Sequence, residues 1–193
     1  MHSKSSDPVD IALGRGVAAI RERVQAIAAA NPVVLIDGRS GAGKTSLAQR
    51  LHDHWPMRGG VQLIAMDSFY PGWDGLDAGI TIAIERILRP HARGLISTWA
   101  RWDWEKHEEA EHFGVNPARG IILEGCGAVT STSAALADVT VWVQSPDASR
   151  QRRALDRDGD TYRPHWERWA KQEARHIARD MPHEQADIVV EVP

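Results

Sequence analysis

Eight consecutive residues constrain this chain more than any other stretch: Gly38-Arg39-Ser40-Gly41-Ala42-Gly43-Lys44-Thr45, set directly behind the apolar run Val33-Val34-Leu35-Ile36-Asp37. They fit the pattern G-x-x-x-x-G-K-[ST]. The apolar run reads as a buried strand, and Lys44 to Leu51 reads as a helix with Leu47 and Leu51 four apart on one face.

That order of elements dictates a chemistry. Gly38, Gly41 and Gly43 let the backbone turn sharply. The N–H groups from Ser40 through Ala42 to Ser46 can then approach a phosphate chain, with the positive end of the helix dipole aimed at the same anion. Lys44 is placed to reach the terminal phosphates and the Thr45 hydroxyl to ligate Mg²⁺. The expected cofactors are ATP and Mg²⁺, with ATP against GTP left open.

Composition narrows the setting. The chain has 193 residues, 42% hydrophobic and 25% charged, with a net charge of −3, an ordinary globular balance and the length of one domain. No basic run points to nucleic acid. No apolar stretch approaches the roughly 20 residues that span a bilayer. The lone Cys126 has no internal disulfide partner, which fits a reducing compartment, and the cytoplasm is the expected location.

Met1 to Ser6 reads as a disordered tail closed at Asp7, an N-cap before Pro8. Val9, Leu13, Ile20, Val24 and Ile27 mark a first helix that stops at Asn31-Pro32. Val61 to Met66, Gly120 to Gly125, Val139 to Val143 and Ile188 to Val190 read as further strands. Between them, Ile80 to Leu88 mark a helix ending before Pro90, and Ser131 to Ala137 a short one. Pro146 opens an Arg-rich helix, and Pro164 opens another that runs towards Arg179. Alternating strands and helices predict an α/β fold of the P-loop NTPase kind, three α/β/α layers around a mainly parallel sheet, with a small helical lid at about residues 150–180.

Ligands in such sheets bind at the carboxyl ends of the strands. Asp67 ends the strand Val61 to Met66, where a carboxylate could take a proton from a hydroxyl or hold Mg²⁺ through water. Glu124 ends the strand Ile121 to Leu123 and is a second candidate for the metal. Arg150, Arg152, Arg153 and Arg157 share one helix, and a segment closing over ATP needs such forks; Arg153 and Arg157 are the candidates.

The chain also resembles the uridine kinase and phosphoribulokinase-like group of P-loop kinases. Four stretches carry the likeness: Gly38 to Thr45, Asp67-Ser68-Phe69-Tyr70, Trp102-Asp103-Trp104-Glu105-Lys106-His107, and Ala148 to Asp158. The resemblance implies that Asp67 is the catalytic base and that Trp102 and His107 contact the base of a nucleoside. It also implies that Asp74 or Asp77 stands in for a ribose-binding carboxylate. Tyr70, Trp102 and His107 would line the acceptor pocket. Trp102 replaces a tyrosine of the family's pattern, so the phenol is absent while the indole can still stack.

The resulting expectation is an ATP-dependent phosphotransferase acting on a hydroxyl of a small metabolite, a nucleoside first of all, with the oligomeric state left open. The competing reading is an NTP-dependent switch or assembly factor with no metabolite acceptor. His107 and His112 carry no zinc expectation, because residues five apart on a helix fall about 140° apart.

Overall fold

The computed structural model describes residues 7–193, the side chain of residue 158 excepted. The tail expected over residues 1–6 lies outside the described residues. Asp7 caps the first helix, α1 (Pro8–Gln25), its carboxylate accepting from the N–H of Val9 at 3.0 Å.

Five strands make one parallel sheet: β1 (Val33–Gly38), β2 (Val61–Ala65), β5 (Gly120–Glu124), β6 (Val139–Gln144) and β7 (Ile188–Glu191), in the order β2-β5-β1-β6-β7. Every neighbouring pair within it runs parallel. Successive side chains on a strand point to opposite faces, and the sequence uses this to build two cores. Val33, Leu35, Ile121 and Leu123 belong to one cluster; Val34, Ile36 and Ile122 belong to the other. The second cluster is covered by α1 and by α2 (Lys44–Asp53), through Leu13, Ile20, Leu47 and Leu51. Both faces of the central strands are apolar because both are covered.

The opposite face takes α3 (Leu76–Ile82), which runs through a π-helical stretch (Ala83–Leu88) into the short α4 (Arg89–Ala92). The helix expected to stop before Pro90 therefore continues past it. The π segment ends the first hydrogen-bond ladder, and Pro90 falls in the opening turn of α4, where a missing N–H leaves no bond unmade. The short helix expected over Ser131 to Ala137 is the four-residue α5 (Ser131–Ala134).

A second sheet is a two-stranded antiparallel hairpin, β3 (Ser97–Asp103) and β4 (Glu108–Val115). His112 lies in this strand, not in a helix, so the helical geometry used to discount a zinc site does not apply there. No group of three or more His, Cys, Asp or Glu among the described residues is placed to hold a metal ion.

The Arg-rich helix is α6 (Asp147–Tyr162), broken in direction at Gly159, which sits at φ 55° and ψ −135°. A single 3₁₀ turn leads into α7 (Trp166–Asp180). The stretch expected as a lid thus divides, because α7 buries Trp169, Gln172, Glu173 and His176 against the body of the domain. No helix among the described residues is long and apolar enough to cross a membrane.

Candidate active site

The glycine-rich loop joins β1 to α2 at the carboxyl edge of the sheet. Gly41 has φ 77°, and a Cβ there would lie 2.0 Å from the carbonyl oxygen of Arg150, so both backbone conformation and the nearness of α6 demand glycine. Gly43 is the N-cap of α2 at φ 108°, which turns the chain into the helix and aims its first N–H groups into the loop.

Lys44 is buried, and its Nζ donates to the carbonyl oxygen of Arg39 at 3.1 Å and to the Cys126 sulfur at 3.4 Å. Burial alone would lower its pKa. Cys126, Glu124, Asp67 and Glu173 around it outweigh that and hold the ammonium above its ordinary range. The Thr45 hydroxyl donates to Glu124 Oε1 at 3.0 Å. Burial, then the nearby Asp67 charge, push the Glu124 carboxyl up to about 7, against the pull of Lys44 and Thr45. A buried carboxylate pushed this way is one that a cation would return to its charged form.

Two acidic groups anchor the loop from behind. Asp37 Oδ1 accepts the N–H groups of Gly38 at 2.6 Å and Gly127 at 3.0 Å; Oδ2 accepts the N–H of Val129 at 2.9 Å and faces His176 Nε2 at 2.9 Å. The other nitrogen of His176, Nδ1, faces Asp180 at 2.8 Å. Both ring nitrogens meet carboxylates, so the arrangement calls for the imidazolium. Burial pulls the His176 pKa down, but the bonds and charges of Asp37 and Asp180 win and raise it. Glu173, 2% exposed, accepts the N–H of Ser40 at 2.6 Å and Arg39 Nε at 3.2 Å. The thiol of Cys126 donates to the same carboxylate at 3.3 Å.

In front of the loop opens a cleft of about 660 Å³. Of the candidate residues, Ser40, Gly41, Gly43, Lys44, Thr45, Ser46, Asp67, Tyr70, Arg153 and Arg157 line it. Gly38 and Ala42 shape the loop without lining the cleft, and Glu124 stands behind Thr45. Asp67 sits in the 3₁₀ turn (Met66–Ser68) that follows β2, with its side chain exposed to the cleft. Arg153 braces the phosphate loop: Nε donates to the Gly41 carbonyl at 3.0 Å, Nη1 to that of Pro193 at 2.7 Å, and Nη2 to the Ser145 hydroxyl. Arg157 lies within electrostatic reach of Glu124.

Four candidates stand elsewhere. Asp74 forms a two-pronged pair with Arg168, and Asp77 pairs with Arg179 Nη1 at 3.0 Å, both on the exposed surface. His107 is exposed in the hairpin turn at φ 57°. Trp102 is half-buried with its indole Nε1 enclosed and unbonded. None of the four lines the cleft. The residues expected to read a nucleoside base and its ribose are therefore not gathered there.

In their place stand Trp73, Trp104, Tyr162 and Trp169, which sequence reasoning did not assign to the site. The only advance signal was on α7, where Trp166, Trp169 and Glu173 share one face; a glutamate in an apolar stripe marks a buried partner. Trp73, Trp104 and Tyr162 come from separate elements, with no common spacing to reveal them.

Three comparisons bear on this geometry. A model of the Sigma-54 interaction domain matches residues 12–68, which hold the phosphate loop and Asp67. No curated protein matches the chain. Among solved structures, a possible uridine kinase from Bacillus stearothermophilus superimposes with a TM-score of 0.67 at 20% identity, over 92% of this chain and 98% of that one. A protein from Silicibacter sp. TM1040, provisionally described as a fructose transport system kinase, reaches 0.54 at 16% identity, over 96% of this chain and 99% of that one. At such identities the likeness establishes the fold: this is a P-loop α/β fold, of the form found in structures described as kinases.

Proposed function

We propose that this protein is an ATP-dependent phosphotransferase whose acceptor is a hydroxyl of a small metabolite, working in the cytoplasm. One observation carries the reading. Asp67, a carboxylate open to the cleft, and Lys44 and Thr45 of the phosphate loop line the same cavity, so an alcohol and a terminal phosphate can meet between them.

In this mechanism the loop N–H groups and Lys44 hold the phosphate chain and balance charge as the terminal phosphoryl group departs. Asp67 orients the acceptor hydroxyl and takes its proton. The new bond joins the acceptor oxygen to the γ-phosphorus, the bond from that phosphorus to the β-phosphate oxygen breaks, and ADP leaves. Arg153 keeps Gly41 in place, and Arg157 adds positive charge beside the donor. Thr45 and Glu124 offer a hydroxyl and a carboxylate, hard oxygen donors suited to Mg²⁺. Bound there, Mg²⁺ would supply charge neutralisation on the phosphates.

The other reading, an NTP-driven switch, draws on the match to the Sigma-54 interaction domain. That match ends at residue 68, short of most of the residues that line the cleft, and covers elements any P-loop protein needs. Product analysis with ATP and a panel of alcohols separates the two. Transfer to an alcohol, reduced by orders of magnitude in both Lys44→Ala and Asp67→Asn, is the expected result. ATP turnover that no alcohol stimulates and that Asp67→Asn leaves intact would favour the switch.

A further inference from the structure

The cleft is lined by two chemically unlike sets of side chains. One is Lys44, Thr45, Arg153 and Arg157; the other is a wall of rings, with Trp73 and Trp104 partly exposed and backed by the buried rings of Tyr70, Tyr162 and Trp169. Those rings hold one another in place. Trp73 stacks on Tyr162 at 5.4 Å and meets Trp104 at 4.9 Å, while Tyr70 meets Trp169 edge-on at 4.9 Å. Gln172 fixes the backbone of Trp73 by donating to its carbonyl at 2.7 Å.

The hydroxyls on this wall are already engaged. Tyr70 donates to the Cys126 carbonyl at 2.7 Å, and Tyr162 pairs with the Ser40 hydroxyl. Among the described residues lining the cleft, Asp67 is the lone carboxylate. Asp74 and Asp77, which could have read a vicinal diol, are bound to Arg168 and Arg179 outside it. A second or third substrate hydroxyl set against this wall would lose its water and find little to replace it, whereas a flat ring gains from burial and stacking.

On the phosphotransferase reading above, we infer that the acceptor is an alcohol whose reacting hydroxyl hangs on a short arm from an aromatic ring. The ring lies against Trp73 and Trp104, the partly exposed members of the ring wall, the arm reaches Asp67, and no diol is read. A sugar or polyol is excluded by the same wall, and a nucleoside is accepted only for its base and its primary hydroxyl.

The test uses the full chain with ATP and Mg²⁺, and compares kcat/KM for pyridin-3-ylmethanol, 2′,3′-dideoxyuridine, uridine and glycerol, with product identified by phosphorus NMR. Quenching of tryptophan fluorescence by pyridin-3-ylmethanol, without ATP, reads binding separately. Expected are transfer to the two diol-free ring alcohols, uridine no better than dideoxyuridine, and glycerol lower by roughly 100-fold. Trp104→Ala should remove saturable quenching and lower kcat/KM for ring alcohols about tenfold or more, with Trp104→Phe restoring most of it. Uridine preferred tenfold or more over dideoxyuridine, or glycerol equal to the ring alcohols, overturns the inference and leaves phosphotransfer standing. Absence of both quenching and transfer overturns it too. Saturable quenching with no alcohol phosphorylated keeps the ring-binding wall and overturns phosphotransfer instead.

Discussion

Glu173→Gln is the perturbation that most directly tests how α7 holds the phosphate loop. The substitution keeps the shape of the side chain and removes its charge. Gln can still accept the Ser40 N–H, but that bond, made at 2.6 Å to a carboxylate, becomes a neutral one. The change is worth about 1 kcal/mol. Arg150 suffers more. It is 4% exposed, its Nη1 makes no hydrogen bond, and it lies 4.0 Å from Glu173 Oε2, while its other ion-pair partner, Asp147, is largely exposed. Leaving a buried cation without its buried counter-charge costs up to about 3–5 kcal/mol; with no hydrogen bond to lose here, roughly 1–3 kcal/mol is the appropriate share. The Arg39 contact at 3.2 Å is part-exposed and contributes under about 1 kcal/mol. Together these give a loss of roughly 2–5 kcal/mol. In a domain of this size each kcal/mol moves Tm by about 2–4 °C, so the Tm followed by circular dichroism should fall by roughly 4–20 °C. A Tm within a degree of wild type would refute the claim that Glu173 carries a buried charge essential to this corner. A double-mutant cycle with Arg39→Met should give a coupling below about 1 kcal/mol, which keeps the burden on Ser40 and Arg150.

Two further outcomes follow from the same packing. His176 faces Asp37 and Asp180, the latter also bound by Arg179, and its folded pKa is raised above the ordinary 6.5. A raised pKa means that its stabilisation is complete below about pH 6.5 and fades as pH climbs through the folded value. The Tm gap between wild type and His176→Asn should therefore be wider at pH 6 than at pH 9, and a constant gap would refute the imidazolium assignment. Gly79→Ala places a Cβ 2.4 Å from the ring of Tyr70, which is 1% exposed and cannot swing away. Overpacking of this kind costs about 1–3 kcal/mol, so urea unfolding should shift its midpoint down, and an unchanged midpoint would show that α3 yields more easily than its packing implies.

What the sequence determined by itself is what is local. The phosphate loop could be read because its chemistry depends on backbone turns and a helix start within eight consecutive residues, and the placement of Asp67 because it lies two residues past the end of the strand that precedes it. The parallel sheet followed from apolar runs set between amphipathic helices. Tertiary structure alone decided which tryptophans enter the cleft. Trp102 lies in β3, where a register shift between Ala100 and Trp102 upsets simple alternation, whereas Trp104 lies just past the strand in the turn over residues 104–107, where no period fixes its direction. Asp74 and Asp77 pair on the surface with arginines from α7, about a hundred residues further along the chain, a placement no local pattern could show. The contact between Glu173 and Ser40, like the ring wall of the cleft, is assembled across several elements, and side chains that meet only after the chain has folded leave no periodic trace in the order of its residues.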